Sequence, residues 1–169
     1  MHDYFLPDAK MNVTKWMLWS LALASSLAFG QAPAGRTNGQ VLYLPIYSHI
    51  WHGDVDGKGQ PTKTLMSVSV SIRNTDPTKP IRITSAQYFD TDGKKLREYV
   101  PVPKTIPPMG TFELFIPRSD DSGGSGANFV IAWTSDTSVN APIVEAVHAH
   151  LPSGRSIAFT TSARQIFVD

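Results

Sequence analysis

The sequence predicts an all-β fold: an immunoglobulin-like β-sandwich of about seven to eight antiparallel strands, preceded by a signal peptide. Three observations lead there. Ser67 to Arg73 alternates polar and apolar residues without error, which marks a strand with one buried face. Turn signals recur at short intervals between apolar segments, the spacing of a sandwich or barrel. No segment after residue 30 shows a helical period with caps, and thirteen prolines with twelve glycines argue the same way.

The chain opens with Met1 to Lys10, which carries Asp3 and Asp8. Acids are unusual at the front of a signal, so Met11 is the expected initiator. Lys15 to Gly30 reads KWMLWSLALASSLAFG. A positive flank, a short apolar centre and a small-x-small end are the parts of a secretory signal. Ala28-Phe29-Gly30 fits the cleavage site, with cutting before Gln31. The apolar centre is short of the roughly 20 residues that span a bilayer. The expected address is therefore periplasmic or secreted, with residues 1–30 removed. Gln31 to Gln40 is polar and rich in Pro and Gly, and is expected to be a mobile leader to a single domain over 41–169.

The strands follow in order. Val41 to Ile50 is the first, with Leu42, Leu44, Ile46 and Ile50 on one face and Tyr43, Tyr47, His49 and Trp51 on the other. The aliphatic face is assigned to the core. Ser67 to Arg73 buries Val68, Val70 and Ile72. Asn74-Thr75-Asp76-Pro77 closes it. Ile81 to Phe89 and Lys95 to Val100 flank Asp92-Gly93, a strong hairpin signal. Pro107 to Gly110 opens Thr111 to Ile116, with Phe112, Leu114 and Ile116 inward. Asn128 to Thr134 is apolar on both faces, as a central strand is. Ile143 to Leu151 and Ser156 to Ala163 complete the set, joined by the Pro152-Ser153-Gly154 turn.

Composition excludes several classes. There are 15 basic and 14 acidic side chains, net +1, with no basic run. The electrostatic footprint of a nucleic-acid binder is missing, as is a polybasic membrane anchor. No second apolar run is long enough to span a membrane after signal cleavage. Cysteine is absent, so disulfides, a thiol nucleophile and a lipid anchor on cysteine are not expected.

Five segments taken in order resemble a known bacterial group. They are VLYLPIYSHIWHGD (Val41 to Asp54), SVSIRNTD (Ser69 to Asp76), ITSAQYFDTDGK (Ile83 to Lys94), SGGSGANFVIAW (Ser122 to Trp133) and PIVEAV (Pro142 to Val147). Together they resemble the family called domain of unknown function 3124, over nearly all of the chain after the signal. The resemblance implies an exported bacterial protein with a small β domain, and no catalytic assignment. Members often look like exported proteins or lipoproteins; this chain departs from the lipoprotein form in having no cysteine.

Three segments could carry chemistry. Tyr47-Ser48-His49-Ile50-Trp51-His52-Gly53-Asp54 combines aromatic groups with two imidazoles and a carboxylate, ligands suited to copper or zinc. In a straight strand His49 and His52 point to opposite faces, so a shared metal needs a turn between them. The plainer reading is a strand end with one exposed histidine. His148 and His150 share a face in a strand, and with His49 and His52 could form a histidine cluster. The plainer reading there is two histidines on the solvent side. The long polar loop from Arg118 to Asn128 holds Ser122, Gly123, Gly124 and Ser125. Loops on a rigid sandwich often carry binding function. Its pattern matches neither a phosphate loop nor a nucleophile elbow, and the plainer reading is a flexible connection.

No spacing of Ser, His and acid supports a triad. The expectation is a non-enzymatic exported binding module with no cofactor. It would recognise an envelope protein or envelope component through Tyr47, His49, Trp51, His52, Asp54 and the Ser122–Asn128 loop. The alternative is a copper- or zinc-binding protein using His49, His52, His148 and His150.

Overall fold

A computed structural model describes residues 35–167. The expected signal, the Met11 start and the leader up to residue 34 lie outside these residues. Every regular element described is a strand: β1 Thr37–Pro45, β2 His49–His52, β3 Thr62–Leu65, β4 Ser67–Arg73, β5 Ile81–Phe89 and β6 Lys95–Glu98. There follow β7 Lys104–Ile106, β8 Thr111–Ile116, β9 Asn128–Val139, β10 Ile143–His150, β11 Ile157–Ser162 and β12 Arg164–Ile166. Among the described residues no helix is long and apolar enough to cross a membrane.

The strands form an antiparallel β-sandwich. One sheet runs β12-β1-β9-β5-β6, with β7 also on β5; the other runs β11-β10-β4-β8. A two-stranded ribbon, β2-β3, stands apart from both. β9 lies between β1 and β5, as its apolar composition requires. Alternation does the rest. Leu42 and Leu44 of β1, Phe129, Ile131 and Trp133 of β9, and Ile83, Ala86 and Tyr88 of β5 face inward. They meet Val68, Val70 and Ile72 of β4, Leu114 and Ile116 of β8, and Val144 and Ala146 of β10 in one continuous core. Each buried aliphatic or aromatic side chain contributes roughly 1.5–3 kcal/mol of transfer free energy.

One flank of the sandwich is closed covalently. At Ala163 the chain leaves β11 in the smaller sheet and enters β12 in the larger, and the Ala163 N–H donates to the carbonyl of Val144 at 2.9 Å. Thr161 Oγ1 donates to the carbonyl of Pro45 at 2.7 Å across the same flank.

The structure corrects the expected elements in four places. The strand expected over Val41 to Ile50 is two, because the chain bends at Ile46 to Ser48 and β2 pairs with β3 instead of continuing beside β9. The expected leader is already ordered at Thr37 to Gln40, which pairs with β9. Asn128 to Thr134 continues to Val139. β3, β7 and β12 are additional short strands of mostly polar residues, whose pairing comes from neighbours and not from their own pattern.

At the far end of the sandwich Asn74 and Asp76 tie three loops and the segment before β1 together. Asn74 Nδ2 donates to the carbonyls of Lys79 (2.8 Å), Pro107 (3.0 Å) and Ile106 (3.3 Å), while its Oδ1 accepts from the Asp76 N–H at 3.0 Å. The buried Asp76 carboxylate accepts from the N–H groups of Thr78 and Lys79 (both 3.0 Å) and of Asn140 (3.3 Å). Arg36 caps it at 3.4 Å. The Thr78 N–H, then the Asn140 and Lys79 N–H groups and the Thr78 hydroxyl, hold this carboxyl below its ordinary pKa against the opposing effect of burial. A strand terminator in the sequence is thus the hub of one end of the fold.

Candidate functional site

The opposite end of the sandwich gathers the segments singled out by the sequence. β1 ends at Pro45, and the Ile46 N–H donates to the carbonyl of Ala127 at 2.8 Å. The Ser48 N–H donates to the carbonyl of Gly124 at 3.0 Å, and the Met66 N–H to the carbonyl of Ser48 at 2.9 Å. The bend before β2 is therefore laced to the glycine-rich loop on one side and to the start of β4 on the other.

That loop is a fitted piece. Gly123 is buried, and a Cβ there would lie 2.6 Å from the phenol Cζ of Tyr88 and 2.7 Å from the Ala127 Cβ. Glycine is required because a ring and a neighbouring side chain occupy the space. Gly124 has φ +79, the left-handed region that glycine enters freely. Thr91, in the turn after β5, donates its N–H (3.0 Å) and its hydroxyl (3.1 Å) to the carbonyl of Gly123, and its Oγ1 accepts from the Gly126 N–H at 3.0 Å. Beneath the loop, Ser48 Oγ and the Tyr88 hydroxyl share a fully buried hydrogen bond of 2.8 Å. Burial raises the Tyr88 pKa, and the Ser48 bond opposes this. The flexible connection is replaced by a loop anchored at both shoulders.

The surface above this base is mixed. Trp51 is 47% exposed and stands edge-on to His49, ring centroids 5.0 Å apart. Opposite Trp51 in the ribbon is Lys63, whose Nζ reaches Asp121 Oδ2 at 2.7 Å. That bond, then the lysine charge, holds the Asp121 carboxyl below its ordinary pKa. Arg97 lies 5.3 Å over the Tyr99 ring and 3.7 Å from Asp120. His52 and Asp54 are exposed, and His52 Nε2 bonds Thr64 Oγ1 at 2.8 Å. Ser122 Oγ donates to Asp120 Oδ1 at 2.5 Å, Ser125 is half-buried, and Asn128 begins β9 opposite Pro45 and Phe89.

The histidines do not converge. Among the described residues no three His, Cys, Asp or Glu side chains are placed to hold one metal ion. His49 is buried within the ribbon base, where burial and then Lys63 lower its pKa, Asp121 opposing them. His52 faces solvent on the other side, as an odd offset in a strand dictates. His148 and His150 do share a face, but it is the inner one, not the solvent side. Val144, Ala146 and His148 are buried while Ile143 and Val147 are exposed. His148 is stacked on Phe159, centroids 4.6 Å apart and 4° between planes. Its Nε2 accepts the Tyr47 N–H at 3.1 Å, which sets the Nδ1-protonated tautomer. Burial holds its pKa at about 4, and nearby carbonyls of Phe159 and Ala146 only partly oppose this.

The expected aromatic face also divides. Tyr43 is exposed on β1, while Tyr47 packs edge-on against His148 and Phe159. At this end Trp51 remains an open aromatic platform, because the bend at Ile46 to Ser48 takes β2 away from the line of β1. Three residues of this end escaped the sequence reading: Tyr88, Thr91 and Lys63; Ser48 enters it only as a member of the Tyr47–Asp54 segment. No local pattern links Gly123 to Tyr88, 35 positions apart, or Lys63 to Asp121, 58 positions apart.

The family description "Protein of unknown function (DUF3124)" matches residues 39–166. The chain belongs to this family. The match contains both ends of the sandwich just described, the Asn74–Asp76 hub and the Ser48–Gly123 base. None of the curated proteins matches the chain. A crystal structure of Thermotoga maritima 1070 is similar at 12% identity and a TM-score of 0.41, covering 76% of this chain and 95% of that one. That likeness is too distant to inform function.

Proposed function

We propose that this member of the DUF3124 family is an exported, non-enzymatic β-sandwich that binds an envelope protein or another envelope component. The recognition surface is the end formed by the β2-β3 ribbon and the Arg118 to Asn128 loop. One observation supports this reading above others. Two segments 76 positions apart are joined by the Ser48–Gly124 bond of 3.0 Å beneath a half-exposed tryptophan. An open indole on a rigid base, rimmed by the Lys63–Asp121 pair, is the kind of anchor that recognition surfaces use. The rigidity matters because an ordered site loses little conformational entropy on binding. The location outside the cytoplasm rests on the Lys15 to Gly30 segment.

The test is recovery of a partner from envelope extract by the chain lacking residues 1–30, with Trp51→Ala as control. The expected result is a partner held by the parent protein and lost by the variant. Equal recovery by both would remove this surface from the reading.

A further inference from the structure

Five strands lie at the four margins of the two sheets, β6 and β7 sharing one, and three of those margins are interrupted or crossed by chain. β12 is three residues long, and β6 and β7 have four and three. The β5-β6 pairing is further interrupted by an irregularity at Tyr88/Phe89. β11 is six residues long, but the chain runs from it through Ala163 straight into β12 of the other sheet, and its inward Thr161 and Phe159 hold the bend at Pro45 to Tyr47. Short strands, irregular pairing and covering segments are how sheet margins avoid adding foreign strands. β8 has none of these three; its one outward charge is Glu113. It is six residues, TFELFI, paired with β4 on one side only, without a break in register. Its outward Phe115 is 60% exposed and its inward Phe112 is only half-buried.

We propose that β8 pairs edge to edge with β8 of a second copy of this chain, joining the two smaller sheets into one. The register follows from symmetry and charge. A two-fold axis perpendicular to the sheet keeps inward residues opposite inward residues, so the strand must be centred on one residue. Two centres leave five of the six residues paired. Centring on Glu113 sets two like carboxylates directly opposite, which destabilises a ladder. Centring on Leu114 sets Leu114 against its symmetry mate, Phe112 beside Ile116, and Glu113 opposite Phe115. The second arrangement extends the apolar inner face and completes the cover of Phe112. The strand is roughly 20 Å long, so the contact falls at the small end of interfaces and the association is reversible.

The experiment is sedimentation equilibrium of the chain lacking residues 1–30, from micromolar to about 1 mM, with far-ultraviolet circular dichroism as the fold control. The expected result is a mass rising from one copy to two. Phe115→Glu places a carboxylate opposite Glu113 and weakens association about tenfold or more. Adding Glu113→Lys to it restores association, and Phe115→Lys alone strengthens it. A single-copy mass throughout the range overturns the proposal, as does capture of another protein's strand by a chain that stays single. So does a dimer indifferent to these charges, or one weakened by Phe115→Lys. Should Phe115→Glu fail to fold, Phe115→Lys carries the test alone, by the sign of its effect.

Discussion

The Tyr47 N–H donates to Nε2 of His148 at 3.1 Å, across 101 positions of chain. This bond fastens the bend between β1 and β2 to the inner face of β10, and it requires a neutral imidazole. His148 is fully buried and its pKa is held at about 4, against an ordinary 6.5. Between those values the unfolded chain takes up a proton that the folded chain does not. Stability is therefore fully present above pH 6.5, falls as pH drops toward 4, and stops changing on this account below 4. The loss over that window is on the order of 3 kcal/mol. Urea melts at pH 7 and pH 4.5 measure it. His148→Leu strands the Tyr47 N–H and lowers stability at pH 7 by about 1–3 kcal/mol, yet loses less than the parent on acidification. An equal acid response in both proteins would show that His148 is not the group responsible.

Ser48 and Tyr88 form a closed pair under the glycine loop. Either Ser48→Ala or Tyr88→Phe leaves one buried hydroxyl without its partner and costs about 1–3 kcal/mol. The double variant removes both groups and is expected to be more stable than the sum of the two single losses implies. A double-mutant cycle from urea midpoints reads the difference; strict additivity would mean that the two hydroxyls do not depend on each other.

Gly123→Ala has to displace the Tyr88 ring or the Ala127 methyl. The expected cost is about 1–3 kcal/mol, the range for overfilling a packed site. Because the same loop carries the Gly124 carbonyl that holds Ser48, faster amide exchange at Ser48 is expected as well. Hydrogen exchange by nuclear magnetic resonance tests both effects at once, and unchanged protection at Ser48 would uncouple the loop from the bend.

At the far end, Asn74→Asp keeps the shape of the side chain but removes its donors from three carbonyl oxygens and sets a negative charge among them. It is expected to destabilise more than Asn74→Ala, in contrast to the usual mildness of that exchange. The carboxylate of Asp76, with its pKa held below the ordinary value, contributes stability that is present above pH 3.8. That contribution is lost as pH falls through the lower folded value. Thermal melts of Asp76→Asn are expected to show a lower midpoint at pH 7 and a smaller gap from the parent near pH 2.

By contrast, changes on the exposed rim leave the fold nearly untouched. Lys63→Ala opens an ion pair whose members are both partly solvated, and the expected change is under about 1 kcal/mol. Trp51→Ala has a similarly small effect on melting while abolishing recovery of a partner. A large drop in the midpoint for Trp51→Ala would recast the indole as part of the core.

Periodicity and turn signals along the chain were enough to bound β4, β5 and β8 to the residue, and in β4 the inner positions are aliphatic and the outer ones polar throughout. The period fails where partners are remote. β3 has the pattern of a polar loop and becomes a strand only because β2 lies beside it. His148 in isolation reads as a surface histidine; what buries it is the ring of Phe159 on β11 and an amide of the bend after β1. The two halves of the candidate site were each visible, Tyr47 to Asp54 and Ser122 to Asn128, but not that they touch.

The sequence by itself determined that the chain alternates apolar and polar residues at period two and builds an antiparallel sandwich. It also determined which residues of β1, β4 and β8 face the interior, since hydrophobic burial acts through local alternation. Only the tertiary structure decided that the first strand breaks at Ile46 to Ser48, that His148 points inward, and that Gly123 is a packing necessity under Tyr88. These depend on hydrogen bonds and ring contacts between segments 11 to 101 positions apart, and no local pattern encodes which distant group will satisfy a buried amide or imidazole.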